Sequence, residues 1–319
     1  MSNNIQVSVI LANYNPSWKK LKRSLCSVLL QKNIDIELIV ADDGSDENYF
    51  TEIEELLAEF KFDRYVLLAS NKNKGTVYNC YRALINARGE YIEELSPGDY
   101  LYDENTLANL YDYAESHSID ICFGNAIYYS DDDNGFKSYC VRTQPRSIKF
   151  YDSAYASLKS RKYAVTLNYS VLNDFICGAS FFYKTELIVQ YTTRILGSVK
   201  YAEDNSFRLM VLAGIDIQHY DTDIIWYEYG TGISTQKSEK WSALLKKDLL
   251  ATNKIMLQCE RLSIWFPTRY KLLLRLGQKK LLCYALFPKA CYFKYCNTVS
   301  PSYTKQSEKT EFFRKLESY

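Results

Sequence analysis

Between residues 6 and 130, short apolar runs alternate with amphipathic stretches in a regular order, and that order restricts the chain to few folds. VSVILA (7–12) precedes a stretch from Trp18 to Gln31 in which Leu21, Leu25, Val28 and Leu29 recur at helical spacing. IELIVA (36–41) is followed by NYFTEIEELLAEF (48–60), YVLLAS (65–70) by TVYNCYRALINA (76–87), and YIEEL (91–95) by ENTLANLYDYAESH (104–117); IDICFGNAIYY (119–129) closes the series. Strands this apolar need cover on both faces, and the helices between them are long enough to carry the chain back to a parallel neighbour. The pattern predicts an α/β fold with a mainly parallel central sheet flanked by helices.

After Ser130 the order loosens. SDDDNGFK (130–137) reads as a solvated turn between antiparallel strands with Asn134-Gly135 at its tip, and a tyrosine-rich segment (139–173) follows. FICGASFFYK (175–184), a helix from Glu203 to about Ala213 and a strand-like run at 217–230 come next, then helices from Lys240 onward, broken at Pro267 and Pro288. Residues 297–319 read as a polar, partly disordered tail. The formal net charge of +1 conceals an asymmetry: residues 1–236 hold 22 Lys/Arg against 32 Asp/Glu, and 237–296 hold 13 against 3. An acidic first part leaves no continuous basic surface, which argues against a nucleic-acid partner. The nine cysteines form no CxxC pair and fit buried thiols in a reducing compartment. No stretch reaches the ~20 apolar residues of a spanning helix and MSNNIQVSVI is no signal peptide, so the expected location is the cytoplasm, on the inner face of the cell membrane if the basic block attaches there.

In an open parallel sheet, ligands bind beyond the carboxyl ends of the strands. Four polar clusters fall there: Asn13-Tyr14-Asn15, Asp42-Asp43-Gly44-Ser45, Asn71-Lys72-Asn73-Lys74-Gly75 and Ser96-Pro97-Gly98-Asp99. Each alone could be a turn or a helix cap, since these are turn and cap residues. Four in succession line one rim and point to a site. Dinucleotide and P-loop readings fail, because ANYNPSW is not GxGxxG and no GxxxxGK[ST] occurs.

VSVILANYNPSWKKLKRSLCSVLLQ, IELIVADDGSDEN and NKGTVYNCYRALINARGEYIEELSPGDYL, covering about residues 6–105, together with AEDNSF further on, resemble the ordered motifs of family 2 glycosyltransferases. The resemblance implies a GT-A fold, a nucleotide-sugar donor, inversion at the anomeric centre and a Mg²⁺ or Mn²⁺ cofactor. By the same resemblance Asp43 is the carboxylate that accepts from the nucleotide base, with Asp42, Asn13 and Asn15 supporting it and Asn73, Gly75, Ser96 and Asp99 completing the donor site. The family's metal-binding Asp-x-Asp aligns with Ser96-Pro97-Gly98, so Asp99 alone remains as a hard ligand; Mg²⁺ can manage with one carboxylate because it keeps several waters. His219 is a second candidate ligand, its alternative a structural role in a strand. Cys80 stands near where many members carry a phosphate-pairing Arg, and Lys72, Lys74 and Arg82 are the candidates to compensate.

Glu203-Asp204 has two readings. As an acidic helix start it would gain ~0.3–1 kcal/mol from the helix dipole; by resemblance Asp204 is the catalytic base and Glu203 its partner. CGASFFYKTEL (177–187) resembles the acceptor-side wall, and its Phe181 also suits a core strand. WYEYGTGIST (226–235) suits a loop closing over a diphosphate with backbone N–H groups and Ser234 or Thr235 as donors, or equally a glycine-rich turn.

The block 266–296 interleaves Lys and Arg with Leu, Phe and Tyr, as helices in a membrane interface do; a basic hairpin packed on the catalytic domain is the alternative. The expected organisation is a catalytic domain over 1–236, with 1–130 binding the nucleotide sugar and 131–236 shaping the acceptor site, then a basic helical extension and tail over 237–319. The expected activity is transfer of a sugar, from a UDP-sugar, to a hydroxyl of a glycan or lipid-linked acceptor in cell-surface polysaccharide synthesis, capsule and lipopolysaccharide among them. A non-catalytic nucleotide-sugar-binding or scaffolding subunit is the rival, favoured by Ser96 and Gly98 and opposed by Asp99 and Asp204. A sugar-phosphate nucleotidyltransferase would open on a basic glycine-rich loop, which ANYNPSW is not.

Overall fold

The computed structural model describes residues 5–132, 135–138, 145–146, 148–152, 157–233, 235–236, 238–264, 266–295 and 308–319. Strand β1 (Val7–Asn13) leads into helix α1 (Trp18–Leu29), β2 (Ile36–Asp42) into α2 (Phe50–Glu59), and β3 (Tyr65–Leu68) into α3 (Thr76–Leu84). After β4 (Tyr91–Leu95), a two-residue strand β5 (Tyr100–Leu101) precedes α4 (Thr106–Ser116) and the long β6 (Ile121–Asp132). The apolar periodicity is borne out: Leu21, Leu25 and Val28 of α1 are buried. β5 is too short to leave an alternation in the sequence, and only its pairing with a distant strand defines it.

β6 turns into β7 (Gly135–Ser138) as an antiparallel pair with Asp132 opposite Gly135, the hairpin expected at this place; Asp133 and Asn134 lie outside the described residues. Within the tyrosine-rich segment, α5 (Leu158–Val165) continues as a π-helical stretch, Thr166–Val171, buried at every position. A helix buried all round has no polar stripe, which explains why the segment carries no helical signature. Then follow β8 (Phe181–Lys184), α6 (Thr185–Ile195), α7 (Asn205–Ala213), β9 (Gln218–Glu228), α8 (Glu239–Gln258), α9 (Pro267–Arg275), α10 (Lys280–Leu286), α11 (Pro288–Tyr295) and α12 (Glu311–Leu316).

The sheet runs β3-β2-β1-β4-β8-β6-β9-β5, with β7 on β6. β3, β2, β1 and β4 are mutually parallel; β8 enters antiparallel between β4 and β6, and β9 runs parallel to β6. The parallel character therefore belongs to the first half, and the second half is mixed. Strand residues alternate between two core layers, Val9 and Leu38 facing one and Ile10 and Ile39 the other. α1, α2 and α4 cover the first layer, whereas α3 and α5 to α11 cover the second.

The expected polar tail needs a correction where the structure describes it. α12 returns to the first layer with Phe312, Phe313 and Leu316 buried, and the Phe313 ring meets those of Tyr100, Tyr129, Phe136 and Trp226. Its three apolar side chains sit among charges too dense for a hydropathy reading to single them out. The described cysteines are free thiols, most of them buried, as expected; Cys140 and Cys296 lie outside the described residues.

Candidate active site

Parallel strands bring the four polar clusters to one rim by construction, because each follows the carboxyl end of its strand. Asn13 closes β1 with its side chain buried, and neither its amide nitrogen nor its amide oxygen has a hydrogen-bond partner in the protein. A buried polar group without a partner costs about 1–3 kcal/mol, which sets this amide apart from the other polar side chains of the rim. Asn15, at φ 46°, is occupied: its Oδ1 accepts the Asp46 N–H at 2.9 Å, and its own N–H donates to Ser45 Oγ at 2.7 Å.

The two aspartates at the end of β2 divide the work. Asp42 caps its own turn, Oδ1 accepting the N–H groups of Gly44 (3.0 Å) and Ser45 (2.9 Å) while Oδ2 accepts the Ser45 hydroxyl. Asp43 reaches across to the next loop, where Oδ1 accepts the Lys74 N–H at 2.9 Å and Oδ2 the Gly75 N–H at 2.7 Å. Each oxygen keeps a lone pair for a further donor. Asn73 is exposed on that loop, and Lys74 Nζ lies 3.0 Å from the Tyr78 hydroxyl. Arg82 does not reach outward: it donates to the carbonyls of Ala69 and Asp42 and to Asn79 Oδ1. Of the three candidates to replace an arginine at Cys80, only Lys72 and Lys74 stand on the rim.

Ser96 is exposed at the end of β4, and its carbonyl accepts the Asp99 N–H at 2.9 Å. Asp99 is buried, and its Oδ1 accepts the Glu228 N–H at 3.1 Å from β9. Burial pushes the Asp99 carboxyl up to about 7; the Glu228 N–H opposes this and the Glu228 charge reinforces it. A Cβ on Gly98, which sits at φ 104°, would come within 2.6 Å of Glu228 Oε2. The Glu228 carboxylate thus fills the space of a side chain at position 98, with Lys20 Nζ 2.7 Å from its Oε1. Among the described residues no three His, Cys, Asp or Glu side chains gather as a metal-holding group. The donor set still fits a hard cation that takes one or two carboxylates and completes its shell with waters and phosphate oxygens.

His219 is elsewhere. It lies near the start of β9 and pairs with Phe123, six residues along β6 from the Tyr129 that pairs with Glu228, or about 20 Å at ~3.3 Å per residue, so it cannot share a cation with Asp99. Its Nε2 is 2.9 Å from Asn125 Oδ1, its ring packs on Phe123, and burial pushes its pKa down to about 4. These are the marks of a structural histidine.

Glu203 and Asp204 stand at the entrance to α7, both half-buried. Burial raises both carboxyls above their ordinary values; the Asp204 charge adds to this for Glu203, while Arg208 pulls Asp204 back. A Cβ on Gly178 would lie 3.9 Å from that of Asp204, so the 177–180 segment forms the adjoining wall, with Phe181 stacked inward on Phe207. Burial first, and then the charges of Glu94, Glu203 and Asp43, push the Cys80 thiol well above its ordinary value. Glu94, pushed up to about 7 by burial and facing Tyr183, is an acid the sequence reading missed. The 230–235 loop is closed on itself, Gly230 N–H donating to Thr235 Oγ1 at 2.9 Å and Thr231 Oγ1 to Glu228; Ser234 lies outside the described residues.

Residues 8–184 match the family model described as glycosyl transferase family 2. TarP of Staphylococcus aureus, a poly(ribitol-phosphate) beta-N-acetylglucosaminyltransferase, is 33% identical over 122 residues, covering 37% of this chain and 36% of TarP. The matching stretch spans less than half the length of each of the first three curated relatives. Among solved structures, S. aureus TarS 1–349 in complex with UDP-GlcNAc superposes with a TM-score of 0.56 at 16% identity, covering 89% of this chain and 76% of that one. The mannosyltransferase PcManGT from Pyrobaculum calidifontis, in complex with GDP-Man and Mn²⁺, superposes with a TM-score of 0.55 at 12% identity, covering 94% and 78%. These likenesses place the fold in the GT-A class.

Proposed function

The chain belongs to glycosyl transferase family 2, and from that premise we propose that it moves a sugar from a nucleotide-sugar donor, a UDP-sugar, to a hydroxyl of a glycan or lipid-linked acceptor with inversion, in the synthesis of a cell-surface polysaccharide. The observation that carries the reading is the rim itself. An unpartnered buried amide (Asn13) and a carboxylate (Asp43) stand where a base would be read, and a second acidic pair (Glu203-Asp204) lies across the sheet end.

Each group then has a task. Asn13 and Asp43 orient the nucleotide, and Lys72 and Lys74 offer charge to its phosphates. Asp99, with Glu228 behind Gly98, would hold Mg²⁺ or Mn²⁺, which when bound would neutralise charge on the diphosphate leaving group. Asp204 takes the acceptor hydroxyl's proton as the bond to the anomeric carbon forms on the face opposite the departing diphosphate, so a single displacement inverts that carbon. Burial favours this, because a carboxylate with a raised pKa is the stronger base.

A membrane-facing role is proposed for the extension, 237–296. Leu272, Leu276, Leu281 and Tyr292 are exposed among Arg269, Lys271, Arg275, Lys279 and Lys280. No helix among the described residues is long and apolar enough to cross a membrane, and attachment would be interfacial. The test of the function is a panel of nucleotide sugars with Mn²⁺, followed by nucleoside diphosphate release and by NMR of the product anomer. A UDP-sugar turned over with inversion supports the proposal. UDP binding with no turnover of any donor favours the scaffolding subunit.

A further inference from the structure

Asp248 lies in α8, within the basic extension and 44 residues beyond Asp204, yet its side chain is buried. Its carboxylate accepts three consecutive backbone N–H groups: Lys200 at 3.2 Å on Oδ1, and Tyr201 at 2.7 Å and Ala202 at 3.1 Å on Oδ2. The next two residues are Glu203 and Asp204. On its other side this segment is tied to the nucleotide rim, where the Val77 N–H donates to the Lys200 carbonyl at 3.1 Å. The Lys200 side chain covers Gly75 so closely that a Cβ there would come within 2.5 Å of its Cγ. Gly75 in turn donates its N–H to Asp43.

We propose that Asp248 is a positioning residue, a clamp by which the helical extension sets the acidic pair in register with the nucleotide-binding rim. The inference rests on the reading of Asp204 as base. Three N–H groups on one ionised carboxylate are charge-assisted bonds in a buried setting, stronger than neutral ones and directional enough to define the backbone path of 200–202. An Asn at 248 keeps the shape but loses the charge, and its amide nitrogen turns a donor toward N–H groups that are themselves donors. The clamp is also electrically visible. Asp204 is faced by Glu203, by Arg208 of α7, by the Tyr169 ring from the π-helical stretch and by Asp248; Glu203 is faced by Asp204, by Glu94 of β4 and by Asp248. Neutralising Asp248 removes a like charge from both.

The experiment uses the full chain and its Asp248→Asn variant. It combines hydrogen exchange of peptides covering 199–207, UDP titration, and kcat against pH with whichever donor the panel shows to be turned over. In the wild type, the amides of 200–202 should exchange as slowly as those in the middle of α8. In the variant they should exchange about tenfold faster or more, and kcat should fall about tenfold to hundredfold through misplacement of the base. UDP affinity should change by less than about threefold, and the acid limb of kcat should move to lower pH, because a lost like charge lowers a carboxyl pKa. A structural role alone would lose folded protein and lower activity only in step with the folded fraction, with kcat per folded molecule unchanged, which overturns the proposal. So do wild-type amides that exchange as an open loop, or a variant with unchanged exchange and kcat. If the variant does not fold, the wild-type exchange still decides. If no donor is turned over, the functional reading fails and the exchange measurement judges the clamp separately.

Discussion

Replacing Asp204 by Asn separates the two readings of the acidic pair, because the structure lets most of the side effects be set aside. Asp204 is the N-cap of α7 with helical backbone angles, φ −62° and ψ −12°, and its side chain makes no capping hydrogen bond. The ~0.5–2 kcal/mol that usually follows loss of a cap therefore does not arise. What Asn gives up is a charge at the helix start, ~0.3–1 kcal/mol, and what it relieves is the desolvation of that charge. The sign of the second effect follows from the raised pKa. An acid whose folded pKa lies above its ordinary 3.8 contributes stability that is complete below that value and is lost as pH rises through the folded pKa. At pH 7 the two effects oppose each other, and the variant should stay within about 1 kcal/mol of the wild type in urea unfolding.

Activity has no such compensation. General-base assistance contributes about 10²–10⁴-fold, or about 2.7–5.5 kcal/mol of barrier, and Asn cannot supply it. Donor turnover should fall by that factor with UDP affinity near normal, and the acid limb of the wild-type profile, set above the ordinary carboxylate range, should disappear. Near-normal turnover in Asp204→Asn refutes the assignment. A variant that loses fold or UDP affinity in step with activity returns the pair to an acidic helix start.

Asp99→Ala should remove most of any strengthening of UDP binding by Mn²⁺ or Mg²⁺ in calorimetric titration; UDP affinity in the intact protein that is unchanged by chelator sinks the metal role. Vesicle flotation should show salt-sensitive binding to anionic vesicles through 237–296, each Lys or Arg near the surface contributing ~1 kcal/mol, and equal binding to neutral vesicles would leave only the packed-hairpin reading. Phe313→Ala should destabilise the fold by about 3–5 kcal/mol in urea unfolding, as for other buried Phe truncations, since the ring is 1% exposed among Tyr100, Tyr129 and Trp226. A loss under about 1 kcal/mol would mean that α12 is not held by the core.

Local pattern carried much of this protein. The alternation over residues 6–130 determined the strands, the helices and their faces, because whether a side chain is buried repeats with the period of the element that bears it. It also determined the rim, since parallel strands put their carboxyl ends on one side and Asn13, Asp42, Asp43, Gly75 and Asp99 each follow one. Only the tertiary structure decided which of these side chains remain available. The Asn13 side chain is left without a partner, whereas Asn15 and Arg82 are consumed by groups 31 and 40 residues away, and nothing local distinguishes those fates; only the turn that Asp42 makes with Gly44 and Ser45 is local. His219 stood behind Asp99 as a second candidate cation ligand until the run of β9 separated the two. Glu228 and Asp248 were invisible for the converse reason. Glu228 meets the 96–99 loop from 129 residues away, and Asp248 meets the 200–202 segment from 46 to 48 residues away. Asp248 does leave one trace, an acid in line with buried Thr252 and Met256 on α8, on the face that a basic helix should keep apolar. Hydrophobic periodicity records that a position is inside; which partner it finds there depends on how the chain closes on itself, and that is a property of the assembled fold.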